Sequence, residues 1–109
     1  KYLEDMDENN PIFSREYSDK RNITDSKCIK IAKQLMKFHN VKHVVMGHSS
    51  YSSINTTCKK MLIRTDVSLS RAFGGNLDSK KLQALEILQR PDKHPIINII
   101  TLDGKTPLK

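Results

Sequence analysis

Apolar positions between residues 25 and 39 recur at helical spacing. At about 100° per residue, Cys28, Ile31, Ala32, Leu35 and Met36 share one face of a helix, and Lys27, Lys30, Lys33 and Lys37 lie opposite. Thr24, Asp25 or Ser26 can cap its start, and Asn40 is a reasonable stop. The run Val44-Val45-Met46 then reads as a buried strand, over 42–46, against which the helix packs. Residues 49–57 are rich in Ser, Thr and Asn, which suits a loop carrying a short strand near Ile54. Alternation returns over 61–67, followed by a loop to Asn76 that turns at Gly74-Gly75. Leu82, Leu85 and Leu88 return to helical spacing among good helix formers, so periodicity alone predicts a helix over 82–88. Pro91 and Pro95 bracket a turn, 96–102 is the clearest strand, and Asp103-Gly104 is a hairpin turn signal. Residues 1–22 are acidic and polar at first, then constrained by Pro11, and read as an extended leading segment before a domain over 23–109.

Charge changes the picture only slightly. Nineteen Lys and Arg against 12 Asp and Glu give a net +7, which brings nucleic acid or another anionic surface into question. Only 6% of residues are aromatic and no nucleic-acid motif is present, so a base-stacking platform is not expected. The lysine face of the helix reads as a solvated surface, with an anion-binding domain as the rival. No apolar run approaches the roughly 18 residues of a membrane helix. Cys28 and Cys58 are too few and too far apart to argue a disulfide framework or a zinc site, and read as buried or half-buried thiols.

The chemistry centres on Gly47-His48. A glycine after a strand lets the backbone turn, and the imidazole that follows is a common transition-metal ligand. Taken with Ile54 and Cys58, the run Met61-Leu62-Ile63-Arg64-Thr65-Asp66-Val67, then Ser70-Arg71-Ala72-Phe73-Gly74-Gly75 and 82–88, the order and spacing resemble a known family. The chain is similar to the C-terminal part of calcineurin-like metallophosphoesterases, most closely the Shewanella-like protein phosphatase branch. That resemblance implies an α/β (α+β) domain, with one helix packed on a mostly antiparallel sheet, half of a two-sheet metallophosphoesterase sandwich. It also implies a strand over 82–88, against the local periodicity, and we adopt the strand.

The resemblance makes His48 a ligand of the second metal of a pair. Phe13-Ser14-Arg15-Glu16-Tyr17 is similar to the branch's aromatic-x-Arg-x-Tyr segment, which makes Arg15 a phosphate contact, with an ordinary surface arginine as the equal alternative. Tyr17 and Phe73 would then line the substrate pocket, Phe73 standing where the branch often carries tyrosine. Asp66 is expected to serve structure before catalysis. A dinuclear site needs several Asp, His and Asn ligands. The family's Asp-x-His, Gly-Asp-x-x-Asp-Arg-Gly and Gly-Asn-His-Glu blocks do not occur in these residues, and Ser50 stands where many relatives place a second histidine. The expectation is the last part of a phosphatase acting on phosphate monoesters, a serine/threonine phosphoprotein or a small phosphoester. Two divalent ions (manganese, iron or zinc) would be held jointly with the N-terminal part of the same domain, its partner. The 109 residues alone are expected to bind no metal tightly and to be inactive. A non-catalytic interaction module derived from the fold is the alternative.

Overall fold

The computed structural model describes residues 25–70 and 82–109. Helix α1 (Asp25–His39) is followed by strands β1 (Val44–Met46), β2 (Asn55–Thr57), β3 (Leu62–Arg64), β4 (Gln83–Arg90), β5 (Lys93–Thr101) and β6 (Gly104–Pro107). The strands form two sheets, ordered β1-β3-β2 and β4-β5-β6. Among the described residues β1 and β3 run parallel, and the other pairings are antiparallel. The fold is α+β.

The covered face of α1 matches the predicted one in part: of Cys28, Ile31, Ala32, Leu35 and Met36, only Cys28 and Ala32 are buried, the other three are half-buried, and Ile29 joins the core instead. Cys28 and Ala32 are buried with Cys58 and Leu62, and Ile29, Val44, Met46 and Met61 pack around them. Lys27, Lys30, Lys33 and Lys37 are exposed. The helix ends as its sequence predicts: Asn40 adopts φ 51°, its N–H donates to the Lys37 carbonyl, and the Val41 N–H donates to the Met36 carbonyl. Those paired bonds are a Schellman motif, which satisfies carbonyls that a helix end leaves open. The Thr24 and Asp25 capping side chains lie outside the described residues.

Alternation along β3 sends Leu62 toward α1 and Ile63 toward the other sheet. Ile63 joins Ile54 and Val67 in a second cluster, with Leu85, Ile97, Ile99 and Leu108 packed on it. The molecule thus layers helix, mixed sheet and antiparallel sheet. Both Leu62 and Ile63 are fully buried, each contributing roughly 1.5–3 kcal/mol of hydrophobic stabilisation.

Residues 83–90 are a strand, so the helical periodicity of 82–88 misleads. Leu85, Ile97 and Ile99 pack on the first sheet, with Leu85 paired to Ile99; Ile87, paired to Ile97, lies beyond that cluster and is exposed, while Ala84, Glu86 and Leu88 pair with Ile100, Asn98 and Ile96. A long β-branched partner strand outweighs the helix propensity of Leu, Ala and Glu. The turn before β5 is Pro91-Asp92 alone; Pro95 sits inside β5, where the register shifts between Leu88 and Arg90. A bulge tolerates a residue without an N–H. The Arg90 side chain donates to the His94 carbonyl at 2.8 and 3.1 Å, holding the irregularity.

The cysteines need correction. Cys28 and Cys58 are joined by a disulfide, with their Cα atoms 5.4 Å apart. Thirty residues separate them in sequence. The fold closes that gap by laying α1 over the β2–β3 turn, which no spacing rule reveals. In that turn Cys58, Lys59 and Lys60 all have positive φ.

Candidate functional site

Because β1 and β3 are parallel and in register, Met46 beside Arg64, their carboxyl ends open onto one edge. Open sheets with parallel strands bind ligands at such an edge. The segment 47–51 leaves β1 there and 65–68 leaves β3. They are tied together: the Thr65 N–H and Oγ1 donate to the Met46 carbonyl at 2.9 and 3.1 Å, and the Tyr51 N–H donates to the Asp66 carbonyl at 3.0 Å.

Asp66 organises this edge. Its Oδ1 accepts from the Ser68 N–H at 2.9 Å and from the Ser50 hydroxyl at 3.4 Å. The first is an aspartate turn closed on its own loop; the second reaches across to the other loop. The expected structural role is what these bonds describe.

His48 is exposed and follows directly on the strand and glycine. Its φ is 74°, and Ser68 in the facing loop has φ 54°. The sequence assigns this turn to the conformational freedom of Gly47, and the structure corrects that expectation. The left-handed residue is His48, and a Cβ at Gly47 would meet nothing within 4 Å. Non-glycine residues held at positive φ cluster at functional sites. Of the other three histidines, His39 packs edge-on to Phe38 with ring centroids 4.9 Å apart, His43 Nδ1 lies 3.2 Å from the Lys60 carbonyl, and His94 accepts from Arg90 through its backbone carbonyl.

Arg64 was missed as a site residue by sequence reasoning. It ends β3, is buried, and its guanidinium lies over the Tyr51 ring with the central carbon 4.8 Å from the ring centroid. Its Nη1 donates to Asn55 Oδ1 at 3.4 Å, and its Nε is buried with no acceptor. The signal was available in Leu62-Ile63-Arg64: a charge two residues from a core leucine, on the same side of one strand.

Arg15, Tyr17 and Phe73 lie outside the described residues. Among the described residues no three His, Cys, Asp or Glu side chains gather where they could hold a metal ion. No helix among the described residues is long and apolar enough to cross a membrane. Comparison with protein-family models, curated proteins and solved structures returns no match.

Proposed function

We infer that this chain is the C-terminal part of a metal-dependent phosphomonoesterase of the calcineurin-like type, acting on phosphoproteins or small phosphoesters. The observation that carries the reading is the placement of His48. It stands at positive φ, exposed, just past the end of a strand paired in parallel with another, and a loop anchored by Asp66 faces it. The strand over 83–90, which the resemblance implies and local periodicity does not, adds support.

In this reading His48 supplies one imidazole to a two-metal site, and the other ligands come from polypeptide outside these 109 residues. The metals, when bound, would supply the activated water and neutralise charge on the phosphoryl group. The chain's own part is to fix the imidazole: the Asp66 bonds to both loops limit where the backbone of 48 can go. Arg15, Tyr17 and Phe73 remain assigned to phosphate contact and pocket wall by the resemblance. The test is turnover of a small aryl phosphate by the gene product containing these residues, with added manganese and after chelation. Manganese-dependent turnover supports the reading; metal-independent turnover, or none with bound metal verified, rejects it.

A further inference from the structure

Arg64 is a buried charge that the loop network around Asp66 leaves unanswered. It is 4% exposed and ends β3 at the edge where His48 and Asp66 emerge. A guanidinium carries five N–H donors and no acceptor. Among the described residues its acceptor is Asn55 Oδ1, at a long 3.4 Å, while the Nε–H has none. The Tyr51 ring balances part of the charge without providing an acceptor lone pair for the in-plane donors. Among the described residues the ion pair is Lys105 with Glu86, and no carboxylate pairs with Arg64.

Buried charges are normally paired, and an unpaired buried donor is disfavoured. The fork of a guanidinium matches two oxygens of a phosphoryl group. We propose that Arg64 binds the phosphoryl group of the substrate, with Nε–H as one of two parallel donors and Tyr51 as the ring behind the guanidinium. The choice of a phosphate ester as ligand rests on the phosphoesterase reading; the unmatched donor does not. Arg64 is thereby a phosphate-binding residue distinct from Arg15, and it acts without being a metal ligand.

The test is thermal unfolding of the gene product containing these residues, stripped of divalent metal by chelation and held at constant ionic strength, titrated with inorganic phosphate or with acetate. Arg64→Met is the main variant, because an apolar side chain of similar length often replaces a buried charge without loss of folding. Phosphate should raise the Tm of the wild type progressively, as a ligand of the native state does, and leave Arg64→Met unmoved. In nitrogen-15 spectra the Arg64 Nε–H signal should shift over the same phosphate range. Arg64→Lys, which keeps the charge and loses the fork, should weaken the response about tenfold. Equal Tm rises in wild type and Arg64→Met, an unmoved Nε–H signal, or an equal response to acetate would each overturn the assignment. Phosphate binding through Arg64 in a gene product with no metal-dependent turnover upholds the anion site and removes the phosphoesterase reading. Unchanged aryl phosphate KM in active Arg64→Met enzyme does the reverse.

Discussion

The two sheets divide the work unequally. The mixed sheet has strands of three residues, yet it contains the fully buried Leu62 and Ile63, and the helix and loops attached to it carry the disulfide together with His48, Tyr51 and Asp66. The antiparallel sheet has strands of eight and nine residues paired over most of their length. Its outer face is nevertheless half-open: Leu88, Ile96 and Ile100 are 43%, 39% and 37% exposed. Long pairing makes a scaffold, whereas short strands with long loops bring side chains from distant parts of the chain to one edge. Stability in the first region should therefore depend on a few buried groups and a crosslink, and in the second on backbone pairing.

The sharpest way to break this comparison is to remove the crosslink. Replacing Cys28 and Cys58 together by Ala should cost about 3–4 kcal/mol, from the entropy of a loop of this length, read as a lower urea midpoint. Truncating the core comes next: Ile63→Ala should cost about 3 kcal/mol, and the outer-face Leu88→Ala less than about 1 kcal/mol. Equal losses at the two positions would show that both sheets rest on the same kind of burial.

Backbone changes should be smaller and of opposite sign. Lys60 has φ 66° in the turn fastened by the disulfide, so Lys60→Gly should stabilise by about 1 kcal/mol in thermal unfolding. Gly47→Ala should change stability by no more than about 0.5 kcal/mol, since its Cβ would meet nothing and the positive φ belongs to the next residue.

The smallest effect is electrostatic and lies in the antiparallel sheet. The Lys105 ammonium, hydrogen-bonded at 2.7 Å, holds the Glu86 carboxyl below its ordinary value of 4.5, and the Asn98 amide at 2.8 Å acts the same way. A lowered folded-state pKa means that the unfolded chain binds the proton more readily. This contribution is present above pH 4.5 and is lost as the pH falls through the depressed folded value. Denaturation midpoints measured from neutral to acid pH should show a weaker acid dependence in Glu86→Gln than in the wild type.

Local signals in the sequence were reliable where one element decides its own shape. The periodicity of α1, its Asn40 stop and the β5–β6 turn are cases where the residues that form the element also fix its ends. Leu82, Leu85 and Leu88 show the limit: their spacing is helical, but the isoleucines of β5 supply a partner that no local window contains. The disulfide and the Arg64–Tyr51 contact depend on the same long-range closure. His48 was legible as a residue after a strand; its left-handed backbone and the Asp66 network facing it were not, because they follow from how β1 and β3 pair.

The most direct test of the account is the metal content of the gene product before and after His48→Ala, measured by elemental analysis on folded, desalted protein. The account predicts two bound divalent ions in the wild type and one in the variant, with aryl phosphate turnover down by about two orders of magnitude as the nucleophile loses its placement. Two retained ions and near wild-type turnover in His48→Ala would contradict it, and would leave His48 as an exposed loop residue with no part in catalysis.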